Sequence, residues 1–296
     1  MTAPRAGSRL DAERLGAGLP PLLLAALRIA ETVSPGVHGR RRSGPGDAFW
    51  QFRHYQPGDS VRSIDWRRSA RAEPVFVREN EWESAQTLLL WRDVSPSMRW
   101  RSARTLPEKA ERATVLMLAL CSLLLRSGEQ VGLLGDAAPP VRGVPGLGRI
   151  ADIVERGEPS ADDAIGMPPP VPVPRHAQVV MFGDFLDPLP EIEARMRTFA
   201  AQAARGHLLQ VLDPAEEALP MRGRIRFEGL EHEGSLLVRR AERLRPDYLS
   251  RLSAQRAGLA VLARQLGWTF ATHHTDAPPH LALLALHRAL TLAPSV

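Results

Sequence analysis

The stretch Thr87 to Met98, TLLLWRDVSPSM, constrains the fold more than any other part of this chain. Leu88, Leu89, Leu90 and Trp91 leave no polar face. A strand formed here must therefore be buried on both sides, as in a parallel sheet covered by helices. The run leads directly into Asp93, Ser95 and Ser97, three short oxygen-bearing side chains at the carboxyl end of the strand. Open α/β sheets place their ligands at that edge. Hard oxygen donors suit Mg²⁺, with Mn²⁺ or Ca²⁺ as substitutes. Only Asp93 among the three carries a full charge, so a cation held there stays electrophilic and has room for a carboxylate from another molecule.

Downstream, apolar runs alternate with helical patterns. Strands are expected over Thr87–Asp93, Val131–Gly135, Gln178–Gly183, His207–Asp213 and Trp268–His273. Helices are expected over Pro107–Arg126, Gly148–Arg156, Pro190–Ala204, Asp247–Leu266 and Pro279–Leu292. The fold class that follows is α/β, with a doubly wound, mostly parallel sheet covered on both faces. Ile225–Phe227 and Ser235–Val238 read as a hairpin inserted before the fourth long helix, and Met167 to Pro174 as a stiff linker. Upstream lie an amphipathic helix, Pro21 to Thr32, a Pro57-Gly58 turn and a strand within Glu73 to Trp82. The expected organisation is a helix and β-rich basic lead-in over 1–85 and the α/β domain over 86–296.

Asp-x-Ser-x-Ser at the end of a first strand resembles the metal-ion-dependent adhesion motif of von Willebrand factor type A domains. Ahead of it, YQPGD, IDW and SAR occur in order between Tyr55 and Arg71, and VLDPAEEALP follows at Val211 to Pro220. Together these resemble domain-of-unknown-function family 58, whose members look like partners of MoxR-type AAA+ ATPases. The resemblance implies a non-catalytic protein that docks a protein partner through Mg²⁺. It also implies two further ligands, a threonine from a second loop and an aspartate after a later strand. Asp184, after VVMFG, stands where that aspartate is expected, with Asp187 as its competitor. The second loop has no threonine; Ser160, Asp162 and Asp163 offer the oxygen atoms instead.

Other chemistries lack part of the residue set they need. A metal-dependent phosphohydrolase using Asp93 needs a second acid two positions on, where Ser95 stands. Between Gly36 and Arg71 eight arginines face three acids, an excess of five that equals the net charge of the chain. Arg53, Asp59, Asp65, Trp66 and Arg71 in this island are expected to form a framework of Arg–carboxylate pairs or a partner-docking surface. Nucleic-acid binding through 36–71 is the alternative, although no nucleic-acid fold signature accompanies it. His273, His274, Asp276 and His280 read as a sheet-edge loop rather than a metal cluster, and the glycines 143, 146 and 148 lack the lysine of a phosphate loop. Cys121, the only cysteine, reads as a core residue. No apolar run reaches the length of a membrane span, so a cytoplasmic protein is expected.

Overall fold

The computed structural model describes residues 21–33, 49–56, 64–70, 75–80, 86–156, 166–202, 204–230 and 234–292. Asp59, Arg71, Ser160, Asp162, Asp163 and the Pro57-Gly58 turn lie outside these residues, and of Arg53 only the backbone is described.

The chain divides into two compact units, Val37–Ala85 and the remainder. In the smaller unit β1 (Phe49–His54) pairs antiparallel with β2 (Phe76–Asn80), with an irregularity between Phe49 and Gln51. Between them a short helical turn, α2 (Trp66–Ser69), is anchored locally. The Asp65 carbonyl accepts from the Ser69 N–H and hydroxyl, and Ser69 Oγ accepts from the Phe76 N–H. Trp66 is 62% exposed.

The larger unit is the α/β domain. The helix α1 (Pro21–Val33), assigned to the lead-in on sequence, belongs here. Leu23, Ala26, Ala30 and Val33 recur at helical spacing and are buried in the same core as α3 (Lys109–Arg126). The helix therefore completes a layer of the sheet.

Among the described residues the main sheet has six strands. They are β3 (Thr87–Arg92), β4 (Gln130–Leu133), β5 (Val141–Arg142), β6 (Gln178–Gly183), β7 (Arg205–Leu212) and β10 (Thr269–His274). Their order is β10-β7-β6-β3-β4-β5, all parallel except β5. This is the expected doubly wound, mostly parallel sheet. Alternate residues point to opposite faces, as pleating demands. Leu88, Leu90, Val180 and Phe182 join the core under α1, α3, α4 (Pro145–Arg156) and α8 (Pro279–Leu292). Leu89, Trp91, Val179 and Met181 join the second core under α5 (Leu189–Ala200) and α7 (Arg245–Gln265). Each such side chain contributes about 1.5–3 kcal/mol on burial.

The chain builds β4 on one side of β3 and then crosses back to build β6 on the other. The carboxyl ends of β3 and β6 therefore open a crevice at a topological switch point. After β7 comes a short helix, α6 (Pro214–Ala218), and then the expected antiparallel hairpin, β8 (Ile225–Glu228) with β9 (Ser235–Val238).

Two glycines fix close approaches. A Cβ on Gly146, inside α4, would lie 2.6 Å from Val141 Cγ2, so this glycine serves helix–strand packing rather than a phosphate loop. A Cβ on Gly206 would lie 1.9 Å from Trp268 Cε3. Gly206→Ala is expected to cost about 3 kcal/mol or more by overpacking, read as a lowered denaturant midpoint.

Candidate metal centre

Asp93 follows β3 directly. Its N–H donates to the Phe182 carbonyl at 2.7 Å, which ties it to β6, and its side chain is buried. Asp93 Oδ1 accepts from the Ser95 N–H at 2.8 Å, the local turn expected of an aspartate before a break in a strand. Among the described residues Asp93 Oδ2 has no hydrogen-bond partner, although it is buried. Gly183 makes room for it: a Cβ there would stand 3.0 Å from Asp93 Cβ and 3.3 Å from Oδ2.

The two serines complete the cluster. Ser95 Oγ and Ser97 Oγ share a hydrogen bond at 3.0 Å, and Ser97 Oγ donates to Asp184 Oδ2 at 2.8 Å. Asp184 follows β6 and is buried. The next residue, Phe185, takes a left-handed conformation with φ 49°, uncommon for a bulky residue. Its environment enforces the turn. The Phe185 ring is buried in the second core, Gln210 donates to the Asp184 carbonyl, and Gln255 donates to the carbonyls of Phe185 and Asp187. Asp187, the competing ligand, is half-buried and adds a weaker charge effect on Asp93. The structure thus brings together Asp93, Ser95, Ser97 and Asp184, as expected.

Reasoning from sequence missed the cation already present. Lys109, the first residue of α3, is fully buried. Its Nζ donates to Asp184 Oδ2 at 2.9 Å and to Glu216 Oε1 at 2.6 Å. Burial opposes the charged ammonium, but the two carboxylates outweigh it and hold the Lys109 pKa above its ordinary value. Glu216 is held from its other side. Its Oε2 accepts from the Asp213 N–H, within a capping box in which Asp213 caps α6. Burial raises the Glu216 pKa against the pull of Lys109. The signal in the sequence was Lys109 itself, the only lysine of the chain, every other Lys or Arg being arginine.

Burial, and then the charge of Asp184, push the Asp93 carboxyl from 3.8 up to about 8, against hydrogen bonds from Ser95. The metal-free fold holds a proton at Asp93 that the unfolded chain releases above about pH 4. That contribution to stability is complete in acid and is lost as pH rises towards about 8.

Ser95, Ser97, Asp184 and Glu216 line the polar side of an open groove of about 690 Å³. Leu219, Ile225, Phe227 and Leu230 give it an apolar wall. Among the described residues no group of three or more His, Cys, Asp or Glu side chains could hold a metal. The donor set here is of another kind, two carboxylates and two hydroxyls. It fits a divalent ion on one specific ground: Asp93 Oδ2 is buried, unpartnered and raised in pKa, so it calls for a proton or a cation.

The other candidates fall elsewhere. His273 and His274 are consecutive in β10 and so point to opposite faces. His273 is pushed down to about 4 by burial and by Arg112, while His274 pairs with Glu217. Cys121 is buried in the core, its thiol pushed up to about 12 by that burial. Among the described residues no helix is long and apolar enough to cross a membrane.

Comparison with known proteins agrees with the motifs. Uncharacterized protein Rv1480 of Mycobacterium tuberculosis and Uncharacterized protein Mb1516 of Mycobacterium bovis are each 30% identical over 288 residues, spanning 90% of this chain and 87% of theirs. Among solved structures, an aerotolerance-related membrane protein from Bacteroides fragilis has 16% identity and a TM-score of 0.41, over 70% of this chain and 98% of that one. BatB from Bacteroides thetaiotaomicron has 14% identity and a TM-score of 0.34, over 70% and 97%. The family model described as "Protein of unknown function DUF58" matches residues 51–258. That span takes in Asp93, Ser95, Ser97, Lys109, Asp184 and Glu216, and the chain belongs to the DUF58 family.

Proposed function

We propose that this protein is a non-catalytic cytoplasmic adaptor that captures a partner protein through a Mg²⁺ ion held by Asp93, Ser95, Ser97 and Asp184. The partner's carboxylate completes the ion's shell. The partner that the family resemblance implies is a MoxR-type AAA+ ATPase. The observation that carries this reading is the buried, unpartnered Oδ2 of Asp93 beside two hydroxyls and a second carboxylate that line an open groove. Hard oxygen donors with few charges leave Mg²⁺ able to accept an outside ligand.

The rival chemistries find less support. A metal-dependent phosphohydrolase using Asp93 needs a second acid two positions on, and Ser95 stands there. Ser95 supplies no proton donor of the strength that reaction needs. For nucleic acid, the acids Asp184, Asp187, Glu216 and Glu228 line the groove and would repel phosphates.

Affinity capture with and without chelator tests the reading. Partner retention that is lost in chelator and restored by Mg²⁺ is expected; capture unaffected by chelator would refute metal-mediated docking. Because the ion must displace the Asp93 proton, Mg²⁺ affinity is expected to rise by up to about tenfold per pH unit towards pH 8 and then level. A flat profile between pH 6 and pH 8 would contradict it.

A further inference from the structure

We infer that Lys109 sets how strongly this site takes a divalent cation, its ammonium competing internally for the negative charge the ion would use. The inference rests on the reading of Asp93, Ser95, Ser97 and Asp184 as a cation site. Asp184 Oδ2 receives both the Ser97 hydroxyl and the Lys109 ammonium, so a cation drawing on Asp184 shares its charge with Lys109. Glu216 Oε1 takes a second ammonium proton, and the capping box fixes that carboxylate in place.

Helix stability does not explain the position. Lys109 opens α3, where the positive end of the helix dipole opposes a cation. Nor does general use of lysine, since every other Lys or Arg in the chain is arginine. A compact ammonium reaches two carboxylates from within a buried space, whereas a planar guanidinium needs the room of a bidentate fork. Once an ion displaces the Asp93 proton, the carboxylates of Asp93, Asp184 and Glu216 set against the Lys109 ammonium leave an excess of two negative charges, the amount that one divalent ion neutralises. Without it the excess is three. Asp187, Arg226 and Glu228 also line the groove.

The consequence is a difference in sign between two substitutions. Lys109→Met removes a competing positive charge, so the full chain is expected to bind Mg²⁺ at least tenfold more tightly in calorimetric titration. Glu216→Gln removes a negative charge and leaves one amide oxygen to serve Lys109 or the Asp213 N–H, and is expected to bind Mg²⁺ at least threefold more weakly. A lysine that merely supports the fold would make both variants bind more weakly or leave both unchanged. Unchanged or weaker binding by folded Lys109→Met overturns the inference. If that variant does not fold, unchanged or tighter binding by Glu216→Gln overturns it alone. Absence of Mg²⁺ binding in the wild type and both variants would instead overturn the cation site on which the inference stands.

Discussion

Asp93→Asn is expected to melt at a higher temperature than the wild type in chelator at neutral pH, and to lose all stabilisation by Mg²⁺. An asparagine keeps the oxygen that accepts the Ser95 N–H and puts a neutral amide where Oδ2 now lies unpartnered near Asp184. A carboxyl raised from 3.8 to about 8 weighs against folding at pH 7, because the unfolded chain gains by ionising it. Removing that cost contributes on the order of 2–4 kcal/mol, which raises the melting temperature by about 5 °C or more. In Mg²⁺ the order is expected to invert, since a ligand that binds only the folded wild type stabilises it in proportion to the logarithm of its concentration. Thermal melts of both proteins, with chelator and with Mg²⁺, check each half. A variant destabilised in chelator would make Asp93 a structural cap.

Lys109→Met is expected to destabilise the metal-free fold by about 3–5 kcal/mol, the cost of leaving buried carboxylates without their partner. The Lys109 side chain is 1% exposed, Asp184 4% and Glu216 15%, so water cannot replace the ammonium. Denaturant unfolding in chelator measures the loss, and added Mg²⁺ should restore part of it. A loss under about 1 kcal/mol would mean that the cluster is hydrated and the ion triad weak.

These two residues differ in how legible they were. Asp93 and Asp184 could be read because each ends a strand buried on both faces, and such strands are written as unbroken apolar runs, TLLLW and VVMFG. Short-range order then carries Asp93, Ser95 and Ser97 to one point. Lys109 meets Asp184 and Glu216 across 75 and 107 positions, a closure that no local spacing encodes. The placement of α1 was hidden for the same reason. Its stripe of Leu23, Ala26, Ala30 and Val33 announces a buried face but not the surface it covers. β5, two residues long, is too short for any alternation to register. The left-handed turn at Phe185 is not one that a bulky residue signals locally; it is held by Gln210, Gln255 and the burial of the ring in the second core.

Calorimetric titration of the full chain with Mg²⁺ at pH 8, beside Asp93→Asn, is the most direct test of the cation site. At that pH the Asp93 proton no longer competes strongly. One ion bound per wild-type chain and none by the variant is the expected result. No binding by the wild type, or equal binding by the two proteins, would contradict it.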